Sequence, residues 1–243
     1  MRRWTRSIGA AFAFLTRIPI PGTGGAGELG RSVVWFPLVG AALGAALFGV
    51  ARALGGHLSA GVLAVALVAL HALLTGGLHL DGLADTFDAW GGGRGDRARM
   101  LEIMRDSRIG AHGAAALALL LAGKIFAVLE LLSRGTFWPL LAAPAVARWA
   151  VVPLVVLFRY ARPSGLGSPF QEQRRAIDVL AATLLVAPLA FWFGGAALRA
   201  AALALAAALL VALAINRRLG GLTGDVYGAA IEIAELVFLA SAY

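Results

Sequence analysis

Several runs of Ala, Val, Leu and Gly in this chain reach the length of about 18–20 residues that crosses a bilayer as a helix. They predict spans at 33–54, 59–80, 113–132, 137–158, 178–195, 197–215 and 226–243. The expected fold class is therefore all-α: a polytopic integral membrane helical bundle of about seven transmembrane helices. A mean hydropathy of +0.83 with 14% charged residues agrees with that class and excludes an ordinary soluble domain. Spans that fill most of 243 residues leave little room for a second folding unit, so 1–243 reads as a single transmembrane domain. Residues 8–20 are too short to span, and Pro19 and Pro21 stop a helix there, which suits an interfacial or re-entrant segment. The basic start M-R-R-W-T-R is followed by no small-residue cleavage site, so no cleaved signal peptide is expected. With no cysteine, disulfides and thiolate metal sites are excluded.

The formal charge of +8 would suggest nucleic acid in a soluble protein, but among membrane spans it reads as the positive-inside bias, and no nucleic-acid partner is expected. With the N-terminus inside, sixteen of the 21 basic residues fall in 1–32, 89–112, 159–177 and 216–225, against Arg52, Arg134 and Arg199 on the other side. The implied topology is N-terminus in, C-terminus out. Most of the acids fall in or beside the same inner segments, which places the chemistry on the cytoplasmic face.

The stretch G76-G-L-H-L-D-G-L-A-D-T-F-D88 sets Asp81, Asp85 and Asp88 at i, i+4 and i+7, with no Lys or Arg within four residues. On a helix they share one stripe, where like charges repel. A hard cation would relieve that repulsion, and magnesium takes one or two carboxylates together with phosphate oxygens. Asp81 and Asp88 would be about 10 Å apart along the axis, too far for one ion. Either two metals sit along the ladder or other helices contribute ligands. The plain alternative is a solvated helix end.

Two other segments could carry chemistry. In R97-A-R-M-L-E-I-M-R-D-S-R-I-G-A-H-G113, Glu102 and Asp106 lie at i, i+4 among Arg99, Arg105 and Arg108. Surface salt bridges explain them as well as metal ligation or phosphate clamping does, and His112 reads as an interfacial polar residue rather than a base. In N216-R-R-L-G-G-L-T-G-D-V-Y-G-A-A-I-E-I-A-E235, Arg217 and Thr223 flank the start of the last helix, where Asp225 and Glu232 share a stripe. Asp225 is expected to complete the metal site from a second helix. Lys124, Arg148 and Glu232 lie inside spans and are functional candidates by position. The alternative is that Lys124 or Arg148 pairs with Glu232 or Glu130 to hold the bundle.

These three segments, with L15-T-R-I-P-I-P21, F36-P-L-V-G40 and A143-P-A-V-A-R148, resemble the cobalamin synthase (adenosylcobinamide-GDP ribazoletransferase) family in order along nearly the whole chain. Arg105 stands where that pattern has Lys, so a cation is kept. The resemblance implies a magnesium-dependent transferase of the prokaryotic inner membrane, with its active site facing the cytoplasm. It would join adenosylcobinamide-GDP to α-ribazole or its 5′-phosphate and release GMP. The partners expected are those substrates and membrane lipid, with a second copy of the chain or other cobalamin-assembly enzymes as further candidates. The candidate catalytic residues are His79, Asp88 and Asp225, and the candidate metal ligands are Asp81, Asp85, Asp88, Glu102, Asp106 and Asp225. Candidate substrate contacts are Arg105, Arg108, Lys124, Arg148, Arg217 and Thr223. The rival class is a secondary transporter, which would set the acids near the midplane and show duplicated halves; neither feature is present in the sequence.

Overall fold

The computed structural model describes residues 2–242 apart from Gly24 and Leu166, and the side chains of these other than Arg2, Arg3 and Ala190. The side chains of Arg2 and Arg3, part of the expected arginine bias, and Tyr243, the end of the expected span 226–243, lie outside the described residues. The chain runs through α1 (Arg2–Leu15), α2 (Ala26–Gly30), a short 3-10 turn (Val33–Trp35), α3 (Phe36–Leu54), α4 (Ala60–Thr75) and α5 (Leu78–Gly92). It continues with α6 (Arg97–Ile103), α7 (Ala111–Ser133), α8 (Trp138–Leu157), α9 (Ser168–Gln173), α10 (Ala176–Leu219) and α11 (Gly224–Ser241). The all-α polytopic class stands, with no strand among the described residues.

The span count differs from seven. By length and apolarity four helices can cross, Val33–Leu54, Ala111–Ser133, Trp138–Leu157 and Phe191–Leu219, or up to five if α4 and α5 together form one broken span. Three physical causes account for the difference. The expected span 59–80 does not continue, because Gly76 and Gly77 take left-handed conformations (φ 65° and 72°) and turn α5 by 91° from α4. Expected span 178–195 falls in the first part of α10, which holds only a shorter apolar helix, Ala176–Leu189, among the described residues, and α10 kinks further on at Gly194 (φ 70°, ψ −154°). Expected span 226–243 is α11, whose 18 residues carry Asp225, Glu232 and Glu235.

Those acids do not put α11 in water. It packs against α5, α7, α8 and α10, and almost every residue from Val226 to Leu239 is buried. A helix apolar on most of its circumference and surrounded by neighbours forms the axis of the bundle. Close approach between helices is made by glycine. Gly40 and Gly44, four apart on α3, lie against the backbone of Pro144 and Leu141 on α8, with no room for a Cβ. Gly82 of α5 likewise crosses α11, where a Cβ would sit 2.7 Å from the Asp225 carbonyl oxygen; Gly228 of α11 reciprocates against His79.

The α3–α8 contact predicts that Gly44→Val forces the two helices apart and costs about 1–3 kcal/mol or more. A thermal midpoint in detergent unchanged from wild type would contradict this packing.

Candidate active site

Three loops are tied together at one end of the bundle. Gly220 ends α10 in a left-handed conformation (φ 67°), and Gly221 lets the chain at Arg159 approach, since a Cβ there would lie 2.7 Å from the Arg159 carbonyl oxygen. The two segments then pair: the Leu222 amide donates to the Arg159 carbonyl and the Ala161 amide donates to the Leu222 carbonyl, both at 2.8 Å. Arg97 adds a third segment, donating through Nε to the Leu219 carbonyl (2.7 Å) and through Nη2 to that of Ala161 (2.9 Å). Arg218 lies 3.6 Å over the Trp90 ring. These arginines, counted above only for their charge, hold loops in place.

The effect is to set Arg162 and Asp225 side by side, with Arg162 Nη2 donating to Asp225 Oδ2 at 2.8 Å. Thr223 Oγ1 donates to the same oxygen (3.1 Å), and Oδ1 has no hydrogen-bond partner among the described residues. Because α5 crosses α11 at Gly82, Asp225 stands close enough to Asp81 and Asp85 for the three charges to repel one another. Neither Asp81 nor Asp85 has an ion-pair or side-chain hydrogen-bond partner among the described residues. Asp88 differs from its ladder neighbours. It is buried, and its two oxygens accept from the amides of Gly110 (2.7 Å) and Gly113 (2.8 Å), so it fastens the start of α7 to α5. Asp88, expected as a catalytic and metal-binding residue, thus also has a structural task, with one backbone amide on each carboxylate oxygen.

Two cavities open beside the aspartates. One is an open cleft of about 630 Å³ whose lining includes Arg17, Asp81, Asp85 and Arg108. The other, about 140 Å³, is walled by aromatic and aliphatic side chains, with His79, Asp81, Tyr160, Arg162, Asp225 and Tyr227 as its polar members. Phe14, Leu78 and Asp81 belong to both walls. Burial pushes the Tyr160 phenol above its usual range.

Other expected site residues are placed elsewhere. Glu102 is exposed and pairs with Arg99 at 2.8 Å, an i,i+3 surface bridge. Asp106 is engaged by the Arg108 fork (2.6 Å), whose hydrogen bonds hold its carboxyl down at about 2. Neither joins the aspartate cluster. Arg105 and Arg217 are exposed and line neither cavity. Thr223, expected as a substrate contact, is wholly buried and caps α11 by accepting from the Val226 amide.

Lys124 and Arg148 are the largest correction, because both are buried in the middle of the bundle. Lys124 Nζ donates to Glu232 Oε2 (2.6 Å) and Glu235 Oε1 (3.0 Å). His71 Nδ1 lies 2.9 Å from Glu235 Oε1, and Arg148 Nη1 lies 3.6 Å from Glu235 Oε2. The bundle-holding alternative is the one the structure shows, with Glu235 and His71 as unforeseen members and Glu130 paired instead with Arg134 (2.6 Å). His79, at the edge of this network 4.0 Å from Glu232 Oε1, is buried with its Nδ1 unpartnered. Sequence reasoning also missed Arg17, Tyr160, Arg162 and Tyr227; of these Arg17 and Tyr227 lie inside quoted motifs, L15-T-R-I-P-I-P21 and the segment 216–235, while Tyr160 and Arg162 carried no signal.

No three His, Cys, Asp or Glu side chains among the described residues gather as a ready metal cage. The donor set still fits magnesium, which needs one or two carboxylates and completes its shell with phosphate and water. Asp81, Asp85 and Asp225 are hard oxygen donors near enough to repel one another, and of the three only Asp225 is paired with an arginine among the described residues.

The sequence matches the family described as cobalamin-5-phosphate synthase over residues 7–243. It is 44% identical over 248 residues to an adenosylcobinamide-GDP ribazoletransferase of Klebsiella pneumoniae, covering 96% of this chain and 98% of the relative. A protein of the same name from Syntrophobacter fumaroxidans is 45% identical over 246 residues, covering 97% of each chain. One from Roseiflexus is 43% identical over 239 residues, covering 96% of this chain and 88% of the relative. No solved structure matches.

Removing one partner of a buried ion pair strands the others, so Lys124→Met should lose about 3–5 kcal/mol of stability, and adding Glu232→Gln should recover part of it. Normal thermal stability of Lys124→Met, with a raised Michaelis constant, would return Lys124 to the substrate site.

Proposed function

This chain belongs to the cobalamin-5-phosphate synthase family, and from that premise we propose that the aspartate cluster is where adenosylcobinamide-GDP and α-ribazole, or its 5′-phosphate, are joined with release of GMP. The observation that carries the reading is the crossing of α5 and α11 at Gly82: Asp225 of α11 shares the smaller cavity with Asp81 of α5, and Asp81 also lines, with Asp85, the open cleft that holds Arg17 and Arg108.

The diphosphate of the donor lies in the open cleft, with Arg17 and Arg108 as charge-bearing donors to its oxygens. Taking up phosphate requires Arg108 to leave its exposed pairing with Asp106, a small cost for a surface bridge. A hydroxyl oxygen of the nucleoside forms a bond to the phosphorus nearer the cobinamide. The P–O bond to the guanylate breaks and its electron pair leaves with GMP, while the hydroxyl proton passes to the aspartate cluster. Magnesium would be held by Asp81, Asp85 and Asp225 and, when bound, would neutralise the diphosphate and the departing GMP. Arg162 keeps Asp225 oriented, and Asp88 keeps α5 and the start of α7 in register.

The site faces the cytoplasm of a prokaryotic inner membrane in this reading. Its support is that the arginine-bearing segments 89–112, 159–177 and 216–225 meet at the same end of the bundle. A transporter finds no support in the arrangement, because the buried ionisable groups are paired with one another.

Asp81→Asn, Asp85→Asn and Asp225→Asn should each lower GMP release by about a hundredfold or more while the protein remains folded and inserted. Near-normal turnover in any of them removes that residue from the site. Single cysteines replacing the exposed Ser107 and Ser164 in this cysteine-free chain should react only with a reagent supplied from the cytoplasmic side. Labelling from the opposite side would invert the topology.

A further inference from the structure

We propose that the smaller cavity, between α5, α8 and α11, is the seat of the acceptor's base: an uncharged, planar, bicyclic heteroaromatic ring carried on a ribose. The inference rests on the transferase reading above and adds to it a separate place for the second substrate. Three observations carry it.

The first is the chemistry of the wall. Phe14, Phe36 and Phe170 form a cluster with centroids 5.3–6.1 Å apart on one side, and Tyr160 and Tyr227 add two further rings. Five aromatic rings around one cavity suit a flat π-system, which stacks or meets them edge to face. A diphosphate or a long polar chain would lose its hydration there without replacement.

The second is size. One water needs about 10–15 Å³ of such space, so a cavity of about 140 Å³ takes on the order of ten water-sized groups. That is a bicyclic ring and part of a sugar, whereas a nucleoside diphosphate requires the open cleft.

The third is a buried polar atom without a partner. The Tyr227 hydroxyl belongs to a residue lining this cavity, is buried, and finds no hydrogen-bond partner among the described residues. Buried polar groups are ordinarily satisfied, so an orphan on the cavity wall marks where a ligand's own polar atom belongs. A base nitrogen or a ribose hydroxyl supplies it.

Asp81 lines both spaces. An acceptor seated in the smaller cavity therefore presents its ribose toward the carboxylates, where the donor's phosphorus lies. Separate seats converging on one aspartate place the nucleophile without either substrate occupying the other's ground.

Tyr227→Phe in the full chain, reconstituted in nanodiscs, tests the assignment. The variant deletes an unsatisfied hydroxyl, so its thermal midpoint should equal or exceed that of wild type. Losing one hydrogen bond to an uncharged partner should raise the Michaelis constant for α-ribazole about tenfold and leave that for adenosylcobinamide-GDP unchanged. Val155→Phe, which fills the cavity from α8, should abolish binding of α-ribazole measured by equilibrium dialysis in the absence of donor. Wild-type protein that turns over, together with an unchanged α-ribazole constant in Tyr227→Phe or undiminished dialysis binding in a folded Val155→Phe, would overturn the seat. Equal effects on both substrates would also overturn it. Absence of GMP release from wild type would instead sink the transferase reading, so the two failures are told apart.

Discussion

The buried charge network around α11 is the constraint on which the rest depends. Glu232 and Glu235 could not sit at the axis of an apolar bundle alone; Lys124 from α7, Arg148 from α8 and His71 from α4 meet them there. Desolvating these charges costs more than generic packing would, and the return comes from short contacts among several partners. These pairs tie α11 to α4, α7 and α8 and so hold its rotation and depth against three other helices. Asp225 lies two turns before Glu232 on the same helix, so the register set by the network also places Asp225 on the wall of the smaller cavity, beside Asp81.

Fixing α11 then organises α5. The glycine at position 82 lets α5 pass close to Asp225, and the double glycine at 76 and 77 turns α5 away from α4 so that its aspartates run along the end of the bundle. The unpaired charges of Asp81 and Asp85 are tolerated because the open cleft leaves them partly hydrated. Asp88, deeper, is stabilised by two amides at the start of α7. The ladder is thus divided between a part that can receive a cation and a phosphate and a part that holds the scaffold. His79 joins the two systems: it borders the network at Glu232 and lines the smaller cavity.

Much of this was legible in the sequence. Runs of bilayer length gave the class, and i, i+4, i+7 spacing singled out the aspartates. The three motif segments do meet, and Asp225 does approach from a second helix, because helical spacing and loop chemistry are local properties. What was missed is non-local or conformational. A hydropathy run through residues 59–80 does not register that two glycines take left-handed φ, so α5 was read as the tail of a straight span. Acids at i and i+3, Glu232 and Glu235, share a face, yet only three-dimensional packing tells that His71 reaches the second of them. Arg162 and Tyr160 come to the site through pairing of the chain around Arg159–Ala161 with Leu222, which no spacing in either segment announces. Thr223 and Asp88 stood out in the sequence by position, but the backbone amides that each accepts from are set by folding and not by spacing.

The central claim is that α5 and α11 furnish one site jointly. Binding of manganese in place of magnesium, followed by electron paramagnetic resonance in nanodiscs with adenosylcobinamide-GDP present, tests it without requiring turnover. The account predicts one class of bound manganese that is lost in Asp85→Asn and lost equally in Asp225→Asn. Retention of that signal in Asp225→Asn would contradict it and reduce Asp225 to the first acid of a helix.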